Sequence, residues 1–381
     1  MLVPHLNIHR FKTSALLFAS PTREWQHHVN ESTSPKKKIV FLKTYKTAST
    51  TITSILERYG LSHNLSFLLP ASGHAWFSRT ERFNRDMPIL PPMPNTSYSM
   101  LVGHVPFKKD ALEELIPNAT YVTIIREPVA TYESIFGFFN IAHKLGIRQS
   151  NSTDSLGVFL LDPEHYIGRA NDNFQKTLLR NRQMFDIGLD VKNYDNQTVI
   201  SDVITRAATE FDLVMIAEYF DESLLLLRKL LSWEFEDIVY LRQNVRSDAL
   251  RYEIDDWKRQ QILKLNAADV KLYQYFNRTL WKTIETYGES FADDLARFRS
   301  MLWKIQYECL DVGRFVITYK NRRNDTLLKD HAPSYCSDIN QFDRTKILSS
   351  RQKRSRRSSK KRNSSQKRIA LLRNFTHYKQ T

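Results

Sequence analysis

The stretch Ile39-Val40-Phe41-Leu42-Lys43-Thr44-Tyr45-Lys46-Thr47-Ala48-Ser49-Thr50-Thr51 joins a short apolar, β-prone run to a turn rich in hydroxyls and lysine. Ile52, Ile55 and Leu56 follow at helical spacing, so the unit reads as strand, loop, helix. Gly60 is expected to end the helix as a C′ glycine. In such a turn the backbone N–H groups and the positive end of the helix dipole face any anion in front of them, and hydroxyls and lysines add donors. Lys43, Lys46, Thr47, Ala48, Ser49, Thr50 and Thr51 are therefore candidate phosphate-binding residues. The glycines of a G-x-x-x-x-G-K-[ST] loop are absent, which argues against an ATPase or small-molecule kinase. A capped helix with a surface lysine would have the same composition.

The same unit recurs in outline twice. Tyr121-Val-Thr-Ile-Ile125 leads through Arg126-Glu127-Pro128 into an amphipathic stretch reaching about His143, and Leu213-Val-Met-Ile216 leads through Glu218 into Glu222–Leu231. Strands alternating with helices predict an α/β fold, a central parallel sheet flanked by helices. From Asp255 to about Trp303 the pattern is helical, so the C-terminal part is expected to be a helical layer. Residues 1–35 read as a leader or stem without a fold of its own, 36–335 as the folded body, and 336–381 as a basic low-complexity tail. The Pro88–Pro94 segment reads as a loop.

At 381 residues, 41% hydrophobic and 12% aromatic, the chain can bury a substantial core. Its net charge of +15 suggests nucleic acid at first sight, yet thirteen Lys/Arg and no acid lie between Arg344 and Arg373, so the body is close to neutral. The tail could bind polyanions or act as a nuclear address; the body gives no reason to expect nucleic acid. Deleting 344–381 would separate an accessory tail from the core activity. Ten N-x-S/T sequons begin at Asn30, Asn64, Asn95, Asn118, Asn151, Asn196, Asn277, Asn324, Asn363 and Asn374. Random placement would give roughly three, so the secretory lumen is favoured. Cys309 and Cys336 are the only cysteines, too few for a structural zinc site and sufficient for one bridge. The only apolar run near the N-terminus, Ser14–Ala19, is far short of a membrane span.

Two further elements carry chemistry. Arg126, at a strand end, can make a bidentate contact to phosphate, with the Ser134 hydroxyl eight residues on along the next helix; taken alone, Arg126 reads equally as a solvent-exposed strand-end arginine. His104, in Leu101-Val-Gly-His-Val-Pro-Phe107, is the candidate base because a neutral imidazole can take a hydroxyl proton near neutral pH; a lone histidine in an apolar run is otherwise a satisfied core residue. His74 is the reserve. Arg79, Glu81, Arg82 and Asn84 could contact a sugar, and Arg242, Asn244 and Arg246 could close over a nucleotide. Solvated polar faces would explain both groups as well. Glu218 reads as a strand-end structural carboxylate.

Lys43-Thr-Tyr-Lys-Thr-Ala-Ser-Thr50 resembles the 5′-phosphosulfate loop of the galactose-3-O-sulfotransferases, whose pattern runs K-T-H-K-T-A-S-S/T; Tyr45 stands where that family has histidine. Arg126 through Ser134 resembles the sulfotransferase 3′-phosphate motif, the Gly103-His104-Val105 setting the histidine-base region of related glycan O-sulfotransferases, and Leu213–Leu227 with Asp237–Tyr240 a further segment of the same family. The resemblance covers about 36–324. It implies a P-loop-like sulfotransferase fold and transfer of a sulfuryl group from 3′-phosphoadenosine 5′-phosphosulfate (PAPS), with no metal required. The acceptor it implies is a sugar hydroxyl, foremost the 3-OH of a terminal galactose on a glycolipid or glycoprotein glycan. In that reading Lys46 and His104 are catalytic, and Lys43, Lys46, Thr47, Ala48, Ser49, Thr50, Thr51, Arg126 and Ser134 bind the donor. Golgi residence as a type II membrane protein follows from the family alone, since no transmembrane segment is visible in the sequence. The rival kinase reading would show stabilisation by ATP–Mg²⁺ in place of adenosine 3′,5′-bisphosphate.

Overall fold

Ile39, Val40, Phe41 and Leu42 are all buried, so this four-residue run has no solvent face and forms the central strand β1 (Ile39–Leu42). A computed structural model describes residues 34–147, 154–241, 251–318 and 323–340. Strands β2 (Phe67–Leu68), β3 (Met100–Gly103), β4 (Thr120–Ile125) and β5 (Leu213–Ile216) complete a five-stranded sheet in the order β2-β3-β1-β4-β5. Every pairing is parallel: Val40 faces Leu101 on one side and Tyr121 on the other, and Val122 faces Leu213. Burial of each such side chain contributes on the order of 1.5–3 kcal/mol relative to exposure, which holds the register.

The helix after β1 runs from Ser49 to Ser62 and buries Ile52, Ile55, Leu56 and Tyr59 against the sheet. It passes through Gly60, which therefore does not end it. A Cβ at Gly60 would lie 2.3 Å from Phe67 Cζ and 2.7 Å from Met100 Sδ, so the glycine permits close approach of helix and sheet. The helix after β4 spans Pro128–Phe138, with proline in its first turn and Glu127 accepting from Ala130 N at 2.7 Å; a short helix, Ile141–Lys144, follows it. The one after β5 spans Phe220–Leu231.

The helical C-terminal layer consists of Asp256–Leu265, Ala267–Tyr287 and Phe291–Cys309. An antiparallel hairpin, β6 (Leu310–Thr318) with β7 (Arg323–Leu328), follows it and was not evident in the sequence. Cys309 and Cys336 are bonded. Residue 336 thus sits inside the helix Ser334–Asn340, tied to the body, at the position where the sequence suggested the tail begins.

Replacing both cysteines by serine releases a closed loop with a sequence separation of 27. The expected cost is about 3 kcal/mol of folding free energy, read as a lower denaturant midpoint with both proteins handled without reductant. An unchanged midpoint would mean that the bridge constrains nothing.

Candidate active site

Four of the five strands end at one cleft. Beyond their carboxyl ends lie the Lys43–Thr51 loop after β1, His104 after β3, Arg126 after β4 and Glu218 after β5, and all of them line a cavity of about 1210 Å³. In open parallel sheets this edge, where the order of strands reverses, is where ligands bind.

The loop is shaped from within. Thr44 Oγ1 bonds the Ile124 carbonyl and lies 2.7 Å from Thr47 Oγ1, while Ser49 Oγ donates to the Thr44 carbonyl at 2.6 Å. Lys43, only 7% exposed, directs Nζ to the hydroxyls of Thr50 and Thr53 at 3.2 and 3.1 Å. These contacts force Lys46 and Ala48 into the left-handed region, both at φ 61°, although neither is glycine. Such strain concentrates where backbone amides must be turned toward a ligand. The N-cap residue of the Ser49–Ser62 helix is Ala48, whose side chain offers no cap, whereas the Pro128–Phe138 helix is capped by Glu127. Lys46 carries its ammonium over the Phe138 ring at 4.0 Å. Lys43, Thr47 and Ser49 thus build the loop, and Lys46, Ala48, Thr50 and Thr51 form its more accessible part.

Arg126 is held on three sides. Gln183, fully buried, accepts from Arg126 N at 2.8 Å and donates to its carbonyl at 2.9 Å, as a neighbouring strand would. The guanidinium donates to the Lys46 carbonyl at 3.1 Å and lies 3.8 Å from Glu218, which also accepts from Glu127 N. Burial raises the Glu218 carboxyl above its ordinary value, opposed by the Glu127 amide and by Arg126. Glu218 therefore braces the strand end, as its position in the sequence suggested. Ser134, 7% exposed, lines the cleft from the next helix.

His104 Nδ1 lies 2.8 Å from the Lys43 carbonyl. A carbonyl only accepts, so Nδ1 carries the proton and Nε2 is the basic nitrogen of the neutral ring. The imidazole stacks on Tyr45 at 4.0 Å between centroids, and the Arg182 guanidinium lies 4.2 Å from the Tyr45 ring centroid. Arg182 is buried and forks onto Asp186 at 2.6 and 3.3 Å. Burial raises the Asp186 carboxyl while Arg182 pulls it down. Burial pushes the Tyr45 phenol up to about 12, which keeps it protonated at any working pH. Its hydroxyl has no hydrogen-bond partner among the described residues.

A scan of the chain against protein-family models matches galactose-3-O-sulfotransferase over residues 5–358. The chain belongs to the galactose-3-O-sulfotransferase family. Curated relatives agree: it is 34% identical to the mouse (Mus musculus) galactosylceramide sulfotransferase over 284 residues, 74% of this chain and 66% of that protein. It is 37% identical to the bovine (Bos taurus) galactose-3-O-sulfotransferase 3 over 264 residues, 68% and 60% of the two chains, and 31% identical to the mouse galactose-3-O-sulfotransferase 2 over 287, 72% and 70%. The match thus spans about two thirds of the length of these relatives.

Within this family member the remaining sequence candidates divide. Arg79 reaches the cleft, its guanidinium 3.8 Å from the Trp76 ring centroid. Arg82 instead bonds the Gly188 carbonyl and pairs with Asp190 at 3.2 Å, and neither Glu81 nor Asn84 lines the cleft. His74 is exposed and reaches the cleft only by stacking on Trp76. Arg242, Asn244 and Arg246 lie outside the described residues, although Arg251, Tyr252 and Ile254 just downstream line one wall. Trp76, Phe138, Phe174 and the Arg182–Gln183 pair carry no motif that singles them out in the sequence.

The helix that presents Arg182 and Gln183 (Arg182–Ile187) is capped from 85 or more residues away. Asp269 accepts from Gln183 N and Met184 N at 3.2 and 2.8 Å, and Asn181 and Asn266 cap reciprocally: Asn181 N donates to Asn266 Oδ1, and Asn181 Oδ1 accepts from Ala268 N. Burial pushes the Asp269 carboxyl up to about 7 against the pull of these amides. The folded chain therefore holds a proton that the unfolded chain releases from about pH 4 upward. That stabilisation is complete below the unfolded value and is lost as pH rises through about 7. Thermal midpoints are expected to fall as pH rises from about 4 to about 7 and to level off above it, and Asp269→Asn to flatten that dependence; an equally steep slope in the variant would assign it elsewhere.

Proposed function

We propose that this chain transfers a sulfuryl group from PAPS to the 3-hydroxyl of a terminal galactose, on a glycolipid of the galactosylceramide type or on a glycoprotein glycan. The observation that carries this reading is the convergence of an anion-facing loop, a braced strand-end arginine and a histidine with Nε2 as its basic nitrogen at the carboxyl ends of neighbouring parallel strands. The residues fit a donor with two anionic ends: the left-handed turns at Lys46 and Ala48 and the uncapped helix start suit one, and Arg126 with Ser134 suits the other. PAPS, when bound, supplies the sulfuryl group and a stable phosphate as leaving group.

The chain's own residues do the rest. Lys46 Nζ offsets negative charge that grows on the leaving oxygen, Thr50 and Thr51 steady the group, and Arg126 with Ser134 fixes the end that does not react. His104 Nε2 takes the proton of the attacking hydroxyl as the new S–O bond forms and the bond to the leaving phosphate breaks. Arg79 and Trp76, at the side of His104, are placed to meet the acceptor sugar. The Cys309–Cys336 bridge and the excess of sequons support residence in an oxidising lumen, and membership of the family adds the Golgi and a type II topology to this reading. No helix among the described residues is long and apolar enough to cross a membrane.

The test is transfer of radiolabelled sulfate from PAPS to galactosylceramide, lactosylceramide and N-acetyllactosamine, with linkage analysis of the product. Label at the galactose 3-position is expected. Label on no member of the panel, with PAPS turnover on another sugar, would overturn the acceptor.

A further inference from the structure

Five of the ten sequon asparagines have described side chains, and the fold sorts them. Asn64, Asn95 and Asn118 are exposed, and all three sit in tight turns at φ 58°, 60° and 59°. Each precedes a strand by a few residues: Asn64 comes before β2, Asn95 before β3 and Asn118 before β4. Because β2, β3, β1 and β4 are neighbours and run parallel, the three turns lie side by side along the amino edge of the sheet. The cleft lies at the carboxyl edge. Asn196, also exposed, caps the Gln197–Glu210 helix, accepting from Val199 N at 3.2 Å, and is not part of this row. Asn277 differs from all of them. It lies in the middle of the Ala267–Tyr287 helix, is half-buried, and its Oδ1 is buried without a partner among the described residues.

We infer that Asn64, Asn95 and Asn118 carry N-linked glycans that form a rim along the amino edge of the sheet, and that Asn277 carries none in the native protein. In the modification an amide nitrogen of asparagine displaces the lipid pyrophosphate of an activated oligosaccharide and forms an N–C bond to its first sugar, with loss of one amide proton. The sequon is read on the extended chain. Ser66 and Thr120, which complete two of the three sequons, are buried after folding, so these sites are filled before β2 and β4 close. Folding then decides which glycans are tolerated: at the three turns the sugar projects into solvent, while on Asn277 it would have to displace packed helix. The rim leaves the mouth of the cleft clear for a large acceptor.

This inference rests on the lumenal reading, and its test separates the two. The full chain, directed into the secretory pathway of cultured cells by a cleavable leader, is purified from the medium and its glycopeptides are mapped by mass spectrometry. Glycan is expected on Asn64, Asn95 and Asn118 in most molecules, and bare asparagine at Asn277. Asn→Asp at the three turns, which tolerates the left-handed backbone, should shift the protein by three glycan masses relative to the parent and leave sulfate transfer unchanged. Occupancy of Asn277 in the folded, secreted protein, or bare asparagine at two or more of the three turns, would overturn the inference. The same chain expressed with its own N-terminus tests the lumenal reading alone: absence of glycan there, with the rim present on the leader-directed protein, would count against residence and not against the rim.

Discussion

Replacing His104 by alanine is expected to lower turnover by about 10² to 10⁴, the scale of losing a general base, with the affinity for adenosine 3′,5′-bisphosphate nearly unchanged. The orienting bond from Nδ1 to the Lys43 carbonyl makes the proposal specific, since it leaves Nε2 as the basic nitrogen. Tyr45 has no comparable capacity, because its phenol is buried and pushed up to about 12. Tyr45→Phe is thus expected to cost far less than His104→Ala, and Tyr45→His to be tolerated. Steady-state rates with product-analogue titrations would check all three variants. Loss of turnover in Tyr45→Phe, with His104→Ala largely active, would place the proton chemistry in the phosphate loop.

The second large effect separates Lys46 from Arg126. In the proposed mechanism Lys46 meets charge that develops only as the reaction proceeds, so Lys46→Ala should reduce turnover by about 10² to 10³ with a small change in donor affinity. The same mechanism gives Arg126 a part of the donor that does not react, so Arg126→Ala should act mainly on donor affinity, by about 10-fold or more. Glu218 and Gln183 bear on the same arginine, and their variants should follow the Arg126 pattern in weaker form. Calorimetric binding beside single-turnover rates distinguishes the two. Equal, mild effects from both substitutions would remove these residues from the site.

The α/β class, the parallel sheet and the order of strand, loop and helix were legible in the sequence because each rests on local pattern: Ile39–Leu42, Tyr121–Ile125 and Leu213–Ile216 are apolar runs bounded by polar turns. That Lys43–Thr51 is a loop between strand and helix was legible for the same reason. What escaped were features made by contacts between distant segments. Gly60 looked like a helix end because glycine so often is one; only the approach of Phe67 and Met100 explains it inside the helix. Gln183 holds Arg126 across 57 positions, and Arg182 stacks on Tyr45 with no motif around it. Thr47 and Ser49 line the cleft, and their residue types alone could not tell that their hydroxyls also bond to Thr44 within the loop.

The reciprocal caps at Asn181 and Asn266 bear on how this family could have been assembled. The strand-and-loop portion up to Ile216 holds every proposed donor contact, and by contiguity alone it would pass for a transplantable nucleotide module. Yet the helix that pins Arg126 is itself terminated by side chains from beyond residue 265. Recombination at any point between 187 and 266 would therefore part the helix that holds the arginine from the side chains that cap it, so in this chain the two portions are constrained to be inherited together.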